Sequence, residues 1–105
     1  MEIMHSIQRI IKDIKNDDVF IQVTGYIREI IDDDTFILDD NTGQIKVKAQ
    51  DLNINFEKGA LINVIGDLNY NVEGEKSIEA IIIQDMNNLN FKYYKKLYDL
   101  KKQFL

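Results

Sequence analysis

The stretch Thr35–Ala49, TFILDDNTGQIKVKA, contains two apolar segments that are separated by a turn signal. The turn signal is Asp40–Gly43, in which Asn and Gly both tolerate the positive φ values of a tight turn. After the turn, apolar residues alternate with polar and basic ones, so the two lysines should point away from the core side of a strand. The stretch therefore predicts an antiparallel hairpin with strands over 35–39 and 44–49.

The sequence on both sides of the hairpin has the same two-residue period. Before the hairpin, VFIQVTGYI begins a strand at Val19, and three aspartates at 32–34 end that strand. After the hairpin, strands are predicted over 60–70 and 77–84, with a polar loop at 71–76 between them. The chain therefore contains five predicted strands.

Two of these strands have a glycine in the middle. Gly25 and Gly66 weaken a flat sheet, but they permit a sharp bend or a close backbone contact, as at the corner of a small barrel. Because the chain is too short for two packed sheets of normal size, the pattern predicts one closed barrel rather than a sandwich.

Both ends of the chain have the three- and four-residue apolar spacing of a helix. The N-terminal pattern covers Ile3–Ile14, within a segment 1–18 that could instead supply an extra strand. At 88–105, one apolar stripe contains Leu89, Tyr93, Leu97, Leu100 and Phe104, and a second contains Phe91, Tyr94, Tyr98 and Leu105. We therefore predict a single all-β domain over 1–105 with flanking helices. It consists of a five-stranded barrel at 19–87 between an N-terminal helical segment and a C-terminal amphipathic helix.

The charge of the chain is unevenly distributed. The net charge is −5 over 105 residues, but residues 1–87 carry 8 Lys and Arg against 17 Asp and Glu, whereas 88–105 carry 5 lysines and one aspartate. A body this acidic repels polyanions at long range, so nucleic-acid binding would need locally clustered cations.

Composition also excludes several classes of protein. The chain has no cysteine, which excludes disulfides and thiol nucleophiles. No apolar run approaches the roughly 20 residues of a membrane span, and the N-terminus does not resemble a secretory signal. We therefore expect an intracellular protein, in the cytoplasm or nucleoid of a prokaryote or the nucleus of a eukaryote.

The acidic residues do not predict catalysis, a metal site or a cofactor site. Asp39 and Asp40 are adjacent in extended backbone and therefore point to opposite faces, and Asp40 is expected to accept hydrogen bonds from the turn backbone. Asp32–Asp34 lack the glycine-spaced arrangement of a calcium loop and are interpreted as a solvated tip. His5 is the single histidine, and we expect it at the surface.

Several of these segments together resemble a known family. They are VFIQVTGYI, the hairpin FILDDNTGQIKVKA, FEKGALINVIGDL, SIEAIIIQD and the terminal helix. Over residues 17–105 the arrangement is similar to the oligonucleotide/oligosaccharide-binding (OB) fold of replication protein A-type subunits. The similarity is greatest to the small and middle subunits, including telomere-capping and archaeal relatives.

The resemblance implies a non-catalytic subunit of a single-stranded DNA-binding complex, active in DNA replication and repair. In that family the C-terminal helix assembles the OB-fold subunits. Two alternatives stay open. One is an acidic protein-interaction module that binds no nucleic acid, and the other is a tRNA-binding barrel, since anticodon-binding domains of aminoacyl-tRNA synthetases carry similar motifs.

In an OB fold the ligand face runs over the second and third barrel strands. The residues expected there are Arg28, Ile37, Lys46 and Lys48, with Tyr26 and Tyr70 at the edges. Lysines can neutralise phosphates and tyrosines can stack on bases. The alternative is that the lysines are solvated strand positions and the tyrosines pack against loops.

The terminal helix is expected to meet a partner, either another OB-fold subunit or a second copy of this chain. The residues assigned to that interface are Phe91, Tyr94, Leu97, Tyr98 and Leu105, because aromatic residues are favoured at interface cores. The alternative is that the first stripe of the helix merely caps the open end of the barrel.

Overall fold

A computed structural model describes residues 6–50, 52, 56–86 and 91–103, with side chains of the helix described over 95–102. Within these residues there are six strands, one turn of 3₁₀ helix and one α-helix. The elements are β1 Ile7–Gln8, the 3₁₀ turn Ile11–Asp13, β2 Phe20–Asp32, β3 Thr35–Asp39, β4 Gln44–Lys48, β5 Leu61–Tyr70, β6 Lys76–Asp85 and α1 Phe91–Gln103.

Five of the strands form a closed ring in the order β2-β3-β4-β6-β5, which closes because β5 also pairs with β2. All neighbours in the ring are antiparallel except β4 and β6, which are parallel. The short strand β1 lies outside the ring and runs parallel to β2, with Ile7 opposite Ile21. The predicted five-stranded barrel and its fold class are confirmed.

The core of the barrel follows from the two-residue period of the strands. In β4, Ile45 and Val47 are buried while the residues on either side are exposed. Inward-facing aliphatic side chains of this kind stabilise a fold by about 1.5–3 kcal/mol each when fully buried. The buried cluster comprises Ile14, Ile21, Val23, Ile27, Phe36, Leu38, Ile45, Val47, Ala49, Ile62, Val64, Leu68, Ile78 and Ala80.

The two mid-strand glycines lie where backbones approach closely, as predicted. A Cβ at Gly66 would overlap the carbonyl oxygen of Glu79, beside the point where the β5–β6 register shifts. A Cβ at Gly25 would lie 2.9 Å from the carbonyl oxygen of Asp39. At both positions, therefore, the neighbouring strands can come this close only because glycine has no side chain.

The helix predicted over Ile3–Ile14 is wrong for the part of it that the structure describes. That part contains β1 and the 3₁₀ turn instead. The reason is that its backbone donors bond to distant acceptors: Arg9 N–H to the Gln22 carbonyl at 3.0 Å and Ile11 N–H to Asp40 Oδ2 at 2.7 Å. These bonds replace the local i to i−4 ladder that a helix requires.

The C-terminal helix is confirmed over the residues described. It spans Phe91–Gln103, inside the predicted range 88–105. Residues 88–90 and 104–105 lie outside the described residues, as does His5.

Candidate nucleic-acid groove

A groove of about 580 Å³ opens on the outer face of β4. The loop 71–75 between β5 and β6 forms one side, and the N-terminal 3₁₀ turn forms the other. We call this the β4 groove. Its lining residues are Ile11, Ile14, Ile37, Gln44, Ile45, Lys46, Lys48, Asn71, Gly74, Glu75, Lys76 and Ser77.

The floor of the β4 groove is a row of outward-facing strand residues. Gln44, Lys46 and Lys48 alternate with the buried residues of β4 and are all exposed. In the strand pairing, Lys46 has Ile37 of β3 on one side and Ser77 of β6 on the other. The pleat thus places basic, aliphatic and hydroxyl groups side by side across three strands.

The N-terminal side of the groove is fastened to the hairpin turn. Asp40 is 1 % exposed, and its carboxylate accepts hydrogen bonds from Ile11 N at 2.7 Å, Thr42 N at 2.9 Å and Thr42 Oγ1 at 2.6 Å. Thr42 Oγ1 also accepts from Lys12 N at 3.2 Å. The predicted role of Asp40 in the turn is confirmed, and the structure adds a second role in holding the N-terminal segment.

The loop on the other side of the groove is organised by one asparagine. Asn71 Oδ1 accepts from the backbone N–H groups of Glu73 and Glu75, both at 2.9 Å, and Asn71 Nδ2 donates to Glu75 Oε1 at 2.9 Å. Gly74 supplies the left-handed φ of +84° that the tight turn needs. These hydrogen bonds and the turn at Gly74 hold the loop in a defined conformation along this side of the groove.

The charges in the groove are predominantly positive. Among the described residues that line it, Lys46, Lys48 and Lys76 carry positive charge and Glu75 carries negative charge. Lys76 Nζ donates to the carbonyl oxygen of Ile14 at 3.3 Å, which ties the start of β6 to the N-terminal wall. Glu79 is the β6 neighbour of Lys48, so its carboxylate weakens the positive field at that end of the groove.

Three of the six predicted binding residues come together in the β4 groove. Ile37, Lys46 and Lys48 line it, whereas the other three belong to different surroundings. Arg28 lies at an irregularity between β2 and β3, and its Nη1 is 3.2 Å from Asp39 Oδ2. Tyr26 is half-buried and opposite Asp39 in the β2–β3 pairing.

Tyr70 lies next to the groove loop and is tied to the N-terminal segment. Its hydroxyl donates to the carbonyl oxygens of Asn16 at 3.0 Å and Lys15 at 3.4 Å. This geometry favours the alternative in which the tyrosine packs against a loop.

Among the described residues, the sequence prediction missed Lys76 as a groove cation and the N-terminal wall. Lys76 was detectable, because it is the last residue of the predicted polar loop 71–76, which borders the ligand face of this fold. Ile11 and Ile14 were not detectable as groove residues, since their position depends on the tertiary hydrogen bonds to the hairpin.

The acidic tip lies at a separate cavity of about 290 Å³, whose apolar lining includes Ile27, Ile30, Phe36 and Phe56. Asp32 Oδ1 accepts a hydrogen bond from Asp34 N at 3.0 Å, and the backbone N–H groups around it lower the pKa of Asp32. In the described part of the chain, no three His, Cys, Asp or Glu side chains are arranged to hold a metal ion.

The helix α1 contacts the N-terminal segment through Tyr98. This residue is 8 % exposed, and its hydroxyl donates to Asp13 Oδ2 at 3.3 Å. Lys102 Nζ donates to the same oxygen at 2.6 Å, and this bond is the main reason that the pKa of Asp13 is lowered, while burial raises the pKa of Tyr98. The assignment of Tyr98 to a partner surface does not fit this burial.

The outward side of α1 carries two exposed leucines. Leu97 is 40 % exposed and Leu100 is 50 % exposed, so the stripe that contains them does not cap the barrel at these positions. Of the other residues assigned to a partner interface, the side chains of Phe91 and Tyr94 and all of Leu105 lie outside the described residues.

The closed five-stranded ring, with its groove over β3 and β4 and its loop between β5 and β6, defines an OB-fold domain. No family model matches the chain, and no curated protein sequence does.

Three solved structures resemble it closely in shape. The telomere capping protein Ten1 from Saccharomyces pombe has a TM-score of 0.76 at 12 % identity, over 94 % of this chain and 99 % of that one. The S. pombe Stn1-Ten1 complex gives 0.77 at 12 % identity, over 95 % and 94 %. A replication protein A heterotrimer bound to single-stranded DNA gives 0.63 at 18 % identity, over 75 % and 66 %. The predicted resemblance to replication protein A-type OB folds is thus confirmed at the level of fold.

Proposed function

We propose that this chain is a non-catalytic OB-fold subunit of a single-stranded DNA-binding complex, acting in DNA replication or repair inside the cell. The β4 groove contacts the nucleic acid, and α1 joins the chain to another OB-fold subunit. The observation that carries the proposal is that Lys46, Lys48 and Lys76 line one groove together with Ile37.

The chemistry of the β4 groove supports binding of a polyanion. Clustered ammonium groups gain affinity by neutralising phosphates and releasing counterions. A groove on this face of the barrel is where OB folds bind oligonucleotides. The likeness to Ten1 over nearly the full length of both chains supports a subunit made of one small barrel.

The net charge of −5 supports the role of a subunit rather than that of an independent binder. Long-range repulsion from the acidic body opposes the local attraction of the groove lysines. We therefore expect weak, salt-sensitive binding by the isolated chain, with the remaining affinity supplied by other subunits.

The geometry of α1 supports assembly through its outward side. Tyr98 anchors the helix to Asp13, which leaves Leu97 and Leu100 exposed on a helix held in place. Lysines surround them on the helix, so a fitting partner surface is apolar with acidic residues around it.

The experiment is a titration of the isolated chain with labelled single-stranded DNA, single-stranded RNA and tRNA at low and moderate salt. The test variant is Lys46→Glu/Lys48→Glu, and the matched control is Lys58→Glu/Lys101→Glu, two exposed lysines that do not line the groove. We expect the native chain to bind single-stranded DNA, and the test variant to lose at least tenfold more affinity than the control.

Three results would contradict the proposal. Equal losses in both variants would remove the β4 groove from the site. Preference for tRNA over single strands would favour the tRNA-binding alternative. An absence of binding to all three nucleic acids at low salt would favour a protein-interaction module.

A further inference from the structure

The side chains that line the β4 groove have a restricted chemistry. They are aliphatic (Ile11, Ile14, Ile37 and Ile45), ammonium (Lys46, Lys48 and Lys76), or carboxylate, amide and hydroxyl groups. Among the residues described, the groove lining contains no aromatic ring. OB folds that hold single strands without sequence preference normally stack the bases on aromatic side chains.

Tyr26 and Tyr70, the tyrosines predicted at the edges of this face, do not line the groove. The Tyr70 hydroxyl is bonded to the backbone of the N-terminal segment, at 3.0 Å from the Asn16 oxygen. Tyr26 has Asp39 beside it in β3 and Leu61 beside it in β5. Neither ring therefore forms part of the groove floor.

The cations have a spacing that suits a phosphodiester chain. Lys46 and Lys48 are two residues apart on one face of β4, which places their Cα atoms about 6.7 Å apart along the strand. An extended single strand covers a similar distance from one phosphate to the next. Lys76 lies across from them, adjacent to Ser77, which pairs with Lys46.

We infer that the β4 groove binds the sugar–phosphate backbone of a single strand and leaves its bases in solvent. The inference rests on the proposed function and narrows its ligand to an extended polyphosphodiester, held through two or three phosphates. The partly exposed Ile11 and Ile37 contact the sugars, and the lysines contact the phosphates. Glu79, beside Lys48, weakens the attraction at that end of the groove.

The test compares three strands of equal length with the intact chain at low salt. The first is oligo-dT, the second has the same phosphodiester backbone with abasic tetrahydrofuran units, and the third is oligo-dT with uncharged methylphosphonate linkages. We expect the abasic strand to bind within about twofold of oligo-dT, and the methylphosphonate strand to lose at least tenfold. Lys46→Gln should weaken oligo-dT and the abasic strand by the same factor, whereas Glu79→Gln should strengthen both.

The outcomes separate this inference from the proposed function. Binding of oligo-dT together with a tenfold or greater loss for the abasic strand would overturn backbone recognition and leave single-stranded DNA binding intact. Unchanged binding of the methylphosphonate strand would overturn it as well. A failure of all three strands to bind would overturn the proposed function and this inference with it.

Discussion

Asp40 holds together two segments that are far apart in the sequence. Its carboxylate is nearly inaccessible to solvent and accepts bonds from the hairpin turn and from the N-terminal segment. A buried carboxylate with several donors is stabilising because each donor would otherwise lie unpaired in a low-dielectric interior.

Replacement of Asp40 by Ala should lower the free energy of unfolding by about 1.5–3 kcal/mol, the range for hydrogen bonds to a charged group. Urea denaturation followed by circular dichroism measures the change. The control is Asp33→Ala, at an exposed position in the acidic tip, which should change the free energy by less than about 0.5 kcal/mol. Equal effects of the two substitutions would show that Asp40 does not fasten the segment.

Asp18 also holds the N-terminal segment in place, through an ion pair with Arg9. Arg9 donates to both of its oxygens, at 3.0 and 3.1 Å, and Lys15 N donates at 2.8 Å. The hydrogen bond from Arg9 is the main reason that the pKa of Asp18 is lowered in the folded chain. A carboxylate with a lowered folded-state pKa stabilises the fold above its unfolded pKa and loses that contribution as the pH falls through the folded value.

We therefore expect Asp18→Asn to destabilise the chain at pH 7 and the difference from the native chain to shrink as the pH falls below about 4, the unfolded pKa of aspartate. Urea titrations at pH 7, 5 and 3 measure this difference. Asp17→Asn, at an exposed neighbouring position, is the control. A difference that stays constant over this range would show that the Arg9–Asp18 pair does not contribute through its charge.

One side of the helix α1 contacts the N-terminal segment, and the other side is exposed to solvent. Tyr98 and Lys102 both bond to Asp13, at the end of the 3₁₀ turn. The exposed Leu97 and Leu100 then face away from that contact. The N-terminal segment therefore positions the helix as well as forming one wall of the β4 groove.

Replacement of Leu97 and Leu100 together by Ser should abolish assembly with a partner subunit and leave the barrel folded. The reason is that both leucines are exposed in the isolated chain and add little to its stability, whereas burial of their apolar surface against a partner stabilises the complex. Mass spectrometry of complexes captured from the source cells, with circular dichroism of the purified variants, measures the two effects. The control is Asp99→Asn on the same helix, which keeps both leucines and every lysine.

An OB-fold subunit that is captured by the native chain and the control but lost from the double leucine variant is the expected result. Capture of the same subunit by all three proteins would remove this side of α1 from the interface.

The domain as a whole combines an acidic body with a small cationic groove. Its net charge repels nucleic acid, while three lysines attract phosphates at short range. The balance between the two depends on screening, so binding by the isolated chain should be sensitive to salt.

With three neutralised phosphates, the affinity for oligo-dT should fall roughly 20-fold between 50 and 200 mM salt, from a slope of about −2 on logarithmic axes. Fluorescence anisotropy over a salt series measures this slope. Lys46→Glu/Lys48→Glu should flatten it, and Lys58→Glu/Lys101→Glu should leave it nearly unchanged. A flat dependence for the native chain would show that phosphate neutralisation does not drive binding.

Much of the barrel was predictable because strand structure depends on local patterns. The alternation in QIKVKA, the turn at Asp40–Gly43 and the close-approach glycines Gly25 and Gly66 each have a local physical cause. The alternation also predicts Lys46 and Lys48 on the outer face, whereas Ile37 is expected there from the usual ligand face of the OB fold.

The N-terminal segment and the completed groove depend on contacts that no local pattern encodes. The isoleucine spacing from Ile3 to Ile14 suits a helix, yet the backbone N–H groups of Arg9 and Ile11 bond to Gln22 and Asp40. Tertiary acceptors outweigh local propensity when they satisfy the same donors and also bury apolar side chains. The N-terminal wall of the groove, the bond from Lys76 to Ile14 and the burial of Tyr98 follow from these contacts, because each depends on where the segment docks.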